Sequence, residues 1–175
     1  KNFEDAKICL SKVVEIDDSL KEAWISLARI HMSQGGFPTA LSIAEKMIAL
    51  DKGYKDAYLL KSDALLATNE LLKANEVADF ILATFGQSHD AWLLKSKVNE
   101  GMGKIIDARH NVDNALKFAP RDASLWTRRG ALLVKIGERI LAEDAYRRAL
   151  EIDPNNTPAW NSLGILFSTE SPERA

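Results

Sequence analysis

Between residues 123 and 156 the apolar positions fall in two runs. The first holds Leu125, Trp126, Leu132, Leu133 and Ile136, with Arg129 and Gly130 on the same spacing. The second holds Ile140, Leu141, Ala142, Ala145, Tyr146, Ala149, Leu150 and Ile152. Intervals of three and four residues place each set on one face of an α-helix. Gly137-Glu138 separates the runs and Pro154 follows the second, where a proline cannot continue a helix. The pattern predicts two helices of about fourteen residues joined by a tight turn.

The same pattern recurs along the whole chain. Trp24, Tyr58, Trp92, Trp126 and Trp160 stand 34 residues apart. Sixteen residues after each of the first four comes an alanine (Ala40, Ala74, Ala108, Ala142), and one period earlier lies Ala6. Four residues after each aromatic the side chain is small: Ala28, Ser62, Ser96, Gly130 and Gly164. Three series with one period are the signature of a repeat array, in which each unit buries its apolar face on its neighbours. The chain divides as one array over 1–175: a half repeat 1–20, full repeats 21–54, 55–88, 89–122 and 123–156, and a half repeat 157–175. It starts at Lys1, not Met, and both ends fall mid-unit, so a piece of a longer protein is expected.

Within this frame the small residues make room for close helix crossings, and the tryptophans are expected to fill the space between successive helices. Gly35, Gly103 and Gly137 fall at the hairpin turns, with Asn69 at the equivalent place, so all four are predicted at positive φ. Pro120 and Pro154 end second helices, and Pro158 opens the last helix. Ser19-x-x-Glu22 has the form of a capping box.

The fourth unit carries Trp126, Gly130, Ala142, Tyr146, Ala149 and Pro154, and in these residues it resembles the tetratricopeptide repeat. Trp160-x-x-Leu163-Gly164 resembles its opening, while Gly86 replaces the proline in the second unit. The resemblance implies an all-α fold, a right-handed superhelix of antiparallel helix-turn-helix hairpins with a concave face lined by the first helix of each unit. It also implies a protein-interaction scaffold.

Charge and chemistry narrow the reading. The net charge of −2 gives no pull toward nucleic acid or an anionic membrane, and no apolar run is long enough to span a bilayer. A reduced, cytoplasmic setting is expected from the single cysteine. No catalytic constellation, metal site or cofactor motif is present. Cys9 reads as a buried structural thiol and His31 as a packed ring. Gly101-Met102-Gly103 lacks the third glycine and preceding strand of a phosphate loop. Asn155-Asn156-Thr157 matches a glycosylation sequon but falls in a loop between units. Arginine is concentrated after residue 100, interleaved with Glu138, Glu143, Asp144 and Glu151, and reads as a salt-bridged surface.

If the family geometry holds, residues one place after each aromatic line the groove: Ile25, Leu59, Leu93, Thr127 and Asn161. So do those five places after, which include Arg29, Asp63 and Lys97. The candidate groove residues are Leu59, Asp63, Leu93, Lys97 and Arg128. Leu59 and Leu93 would anchor apolar side chains of a peptide or helix, with Lys97 and Arg128 meeting acidic groups, while Leu60 and Leu94 pack between helices. Of the family's chaperone-tail clamp only Arg128 is matched, and its asparagine ladder is absent. The alternative function is a regulatory or substrate-docking arm of an enzyme whose catalytic domain lies outside this sequence. RNA binding is disfavoured by the charge. Self-association through the apolar faces of the terminal half repeats is a further expectation.

Overall fold

The computed structural model describes residues 2–168. They form ten α-helices in two compact units, divided after Gly86. In the first unit α1 (Asn2–Ile16), α2 (Lys21–Ser33), α3 (Phe37–Leu50), α4 (Lys55–Ala67) and α5 (Leu71–Thr84) pack each on the next. In the second, α6 (His89–Gly101), α7 (Ile105–Phe118), α8 (Ala123–Lys135), α9 (Arg139–Ile152) and α10 (Thr157–Ser168) do the same. From α2 to α9 the helices alternate between 13 and 14 residues, close to the length the periodicity predicts.

The hairpin turns follow from local backbone chemistry. Gly137 has φ 85° and Asn69 φ 61°, as the sequence predicts; Gly35 and Gly103 share the conformation. The left-handed residue lets the next amide reach back to a carbonyl of the last helical turn. Glu138 N donates to Leu133 O at 3.0 Å and Glu70 N to Leu65 O at 2.8 Å. Pro120 and Pro154 each lie just beyond the C-cap of a second helix.

The capping box expected at Ser19 does not form. The Ser19 hydroxyl donates to Asp17 Oδ1 at 2.6 Å, and α2 starts after Leu20 with no side-chain cap. An ionised carboxylate two residues away is a stronger acceptor and holds the hydroxyl there. Caps do form elsewhere. Asp122 Oδ1 accepts from Ser124 N and Leu125 N, Ser88 Oγ from Ala91 N, and Asn156 Oδ1 from Ala159 N.

The core of each unit is built on the small residues. Ala28, Ala40, Ser62, Ala74, Ser96, Ala108, Gly130 and Ala142 are all buried. Where α4 crosses α5, the buried Ser62 hydroxyl donates to Ala74 O at 3.2 Å. Where α8 crosses α9, a Cβ on Gly130 would lie 2.6 Å from the Tyr146 ring, so only hydrogen fits there. Leu60 and Leu94 are buried, as expected for residues packing between helices. His31 is half-buried, its ring against Gly36.

Two burial expectations fail. Cys9 is exposed, because α1 turns Leu10 and Val14 into the core of the first unit and leaves Cys9 and Ile8 outside. Trp24 is buried beneath the Lys46 ammonium, but Trp160 is exposed, since no further helix covers it among the described residues.

Candidate partner-binding surface

Four of the five repeat aromatics tie down the loop before their helix. The Trp24, Trp126 and Trp160 indole N–H groups donate at 2.9 Å to the carbonyls of Asp18, Pro120 and Pro154, six residues earlier. The Tyr58 hydroxyl donates to Lys52 O at 3.3 Å over the same separation. The Trp92 indole nitrogen is buried with no partner among the described residues. These tethers set where each first helix starts, and so which of its residues face outward.

In the first unit, Leu59 and Asp63 lie on α4 and are half-buried. The neighbouring Lys61 pairs with Glu45 of α3 at 2.9 Å. Ile25, at the same repeat position as Leu59, is buried in the unit's core and presents no groove wall, whereas Arg29 is exposed. A hollow of this unit, about 350 Å³, is lined by Trp24, Met47 and Leu50 together with the Lys21–Asp51 ion pair. That pair lowers the Asp51 carboxyl below its ordinary pKa, first through the hydrogen bond from Lys21 and then through Gly53 N.

In the second unit, Leu93 and Lys97 are half-buried on α6. Leu93 packs beside Trp92 and Trp126 against a core of Val112, Ala115, Leu116 and Leu125. Arg128 of α8 is held from two sides. Its Nε donates to Ser96 Oγ at 3.3 Å and its Nη2 pairs with Glu100 at 2.5 Å; Lys135 reaches the other oxygen of Glu100 at 2.6 Å. Burial alone would raise the Glu100 pKa, and the Lys135 and Arg128 cations outweigh it, leaving the carboxyl below its ordinary range. Two cations on one carboxylate leave a net positive charge at this spot.

Arg128 also walls a hollow of about 600 Å³ between α8 and α10. Its other polar lining comes from Ser124, Thr127, Asp153, Asn155, Asn156, Thr157 and Ser162. Hydroxyls, amides, one carboxylate and a guanidinium there offer donors and acceptors over a short span, chemistry suited to a peptide backbone. Of the groove residues read from the sequence, the structure brings Thr127 and Arg128 to this hollow, and not Leu59, Asp63, Leu93 or Lys97. Ser124, Asn155 and Ser162 were missed by that reading, and the 34-residue frame could have marked Ser162, which holds in its repeat the position of Arg128.

The late arginines form the salt-bridged surface expected. Arg109 and Arg129 share Asp113 at 2.6 and 2.8 Å, Arg147 pairs with Glu143 at 2.6 Å and Arg148 with Glu151 at 2.5 Å. Among the described residues there is no cluster of three or more His, Cys, Asp or Glu side chains that could hold a metal ion. No helix among them is long and apolar enough to cross a membrane.

Ten helices packed as successive hairpins, with a small residue at each crossing, define a helical-repeat protein. Residues 123–156 match the tetratricopeptide repeat family model, and the fold is that of tetratricopeptide-repeat proteins. TTC0263, a thermophilic TPR protein of Thermus thermophilus, is similar over 95% of this chain and 91% of its own, with TM-score 0.87 and 18% identity. MamA of Desulfovibrio magneticus RS-1 aligns over 89% of this chain and 88% of its own, with TM-score 0.70 and 15% identity. YrrB, described as a TPR protein with an unusual peptide-binding site, aligns over 94% and 85%, with TM-score 0.63 and 17% identity. No curated protein matches the chain by sequence.

Proposed function

We propose that the chain is a protein-interaction scaffold that holds a peptide or helix on the outward faces of its first helices. The observation that carries the reading is the α8–α10 hollow, with Arg128 fixed at its wall by Ser96 and Glu100. A guanidinium already held in place loses little side-chain freedom when it meets an acidic group. Lys97 on α6 adds a second cation for acidic residues of the ligand. Leu59 on α4 and Leu93 on α6 supply apolar anchors, each within its own unit. The peptide-binding site named for YrrB supports the class of ligand, a peptide, and not its sequence.

An array of synthetic peptides that pair apolar and acidic residues at varied spacings tests this directly. Binding to a subset is expected. Arg128→Ala, and separately Leu59→Ala with Leu93→Ala, should weaken that binding by about tenfold or more, the effect of losing a well-packed anchor. Variants that keep their circular dichroism and full affinity would overturn the assignment of these residues.

A further inference from the structure

The hollow of about 350 Å³ in the first unit lies where the loop before α2, the start of α2 and the end of α3 meet. Of its apolar lining, Trp24 and Met47 are buried and Leu50 is 56% exposed, so a ligand would touch chiefly Leu50 and the accessible edge of the indole. Lys21 and Asp51 are closed on each other as an ion pair. Asp18 is exposed. Its carbonyl takes the Trp24 indole N–H, but its carboxylate has no hydrogen bond or ion pair among the described residues.

The next repeat shows the same edge closed by the chain itself. Phe80 and Phe85 hold the repeat positions of Lys46 and Asp51, and their rings pack 4.9 and 5.4 Å from that of Tyr58. Around Trp24 no ring stands at either position. Lys46 instead places its ammonium 4.2 Å from the indole centroid, and it does not line the hollow. The indole thus already holds one cation in a cation–π contact. The neighbouring chain is acidic: residues 15–22 carry Glu15, Asp17, Asp18 and Glu22 against Lys21 alone, more negative than the whole chain at −2.

We infer that this hollow is a docking site for an arginine side chain of a partner protein. Its 350 Å³ lies at the lower end of the roughly 300–1,000 Å³ of ligand pockets, room for one long side chain and not for a segment of chain. The methylenes of the arginine lie along Leu50, and its guanidinium meets the Asp18 carboxylate, which can accept it in a bidentate pair. A planar guanidinium also stacks on an indole edge and is more weakly hydrated than an ammonium, so it enters a partly apolar site more readily. An acidic side chain would be repelled by Asp18, and an apolar one would leave that carboxylate unanswered. The hollow is separate from Arg128 and its surroundings, so the inference goes beyond the peptide-binding reading and does not depend on it.

Titration of the isotope-labelled chain with the blocked tripeptide acetyl-Ala-Arg-Ala-amide, followed by two-dimensional NMR, tests it. The Trp24 indole N–H, donated to the Asp18 carbonyl, reports on the hollow, and that of Trp160 is an internal control. Saturable shifts are expected at the Trp24 indole and at the backbone amides of Asp18, Ser19, Leu50 and Asp51, with none at the Trp160 indole. A peptide with citrulline in place of arginine keeps the shape without the charge and should bind about threefold more weakly, the scale of an exposed ion pair. Asp18→Asn should weaken the arginine peptide by a similar factor while leaving the carbonyl tether to Trp24 in place. Arg128→Ala should leave the titration unchanged, which separates this site from the α8–α10 hollow. The absence of a saturable shift at the Trp24 indole overturns the proposal, as do equal shifts at both indoles. So does equal binding of the citrulline peptide, or full affinity in an Asp18→Asn chain that keeps the wild-type spectrum.

Discussion

The hairpin of α4 with α5 and that of α8 with α9 make the same crossing in opposite ways. At the first, Ser62 and Ala78, two small buried residues, hold the repeat positions of Gly130 and Tyr146, and the Ser62 hydroxyl ends on the Ala74 carbonyl. At the second, all the volume is on one side, with Gly130 opposite the buried ring of Tyr146. The same two repeat positions hold Ala28 and Ala44 in α2 and α3, and Ser96 and Val112 in α6 and α7. The summed volume is not constant, being small for Ala28 with Ala44 and for Ser62 with Ala78 and largest for Gly130 with Tyr146, so in a close-packed interior the side chains around each crossing must take up the difference. The repeat that matches the tetratricopeptide family model, residues 123–156, is the one with the Gly–Tyr division.

Breaking the unequal hairpin is expected to have the largest effect. Tyr146→Ala should lower the unfolding free energy by about 3–5 kcal/mol, because Gly130 leaves nothing to fill the hole. Adding Gly130→Ser to that variant recreates the α4–α5 division and should recover part of the loss. Denaturant titration of both variants checks this, and no recovery would mean the two crossings differ in geometry, not only in volume. Next comes Gly130→Ala alone, where the new methyl must displace a packed ring. A loss of about 1–3 kcal/mol is expected from overpacking, although alanine is the better helix former. An unchanged midpoint would show that the Tyr146 ring moves aside without cost. Smallest is Ser62→Ala on the other hairpin, which removes one hydrogen bond and adds no clash. About 1 kcal/mol or less should be lost in the same measurement. A larger loss would show that the hydroxyl does more than fill space.

The sequence frame locates positions well and their surroundings less well. Asn69 could be assigned a left-handed conformation because the glycine series passes through it, and Leu60 and Leu94 could be assigned to the core from helical phase. Both are properties of the residue's own helix and turn. Cys9 and Trp160 were misjudged for the opposite reason. Their phase is that of core residues, but burial depends on whether a neighbouring helix is present, which phase does not record. Ser19 was lost to Asp17, a local competition the capping pattern ignores. Of the candidate surface, Arg128 was legible from its repeat position, as Ser162 could have been one period later, whereas Asn155 needed the loop geometry between α9 and α10.

The tethers from Trp24, Tyr58, Trp126 and Trp160 to carbonyls six residues back also bear on where the chain can change length. Each fixes the span of a loop between repeats as firmly as a rung fixes the rails of a ladder. An added or deleted residue between hook and carbonyl would unhook the ring or rotate the following helix by roughly 100°. Insertions are therefore disfavoured in these four loops, a mechanical reason for the 34-residue spacing there that does not extend to the loop before Trp92, whose indole nitrogen has no such partner among the described residues.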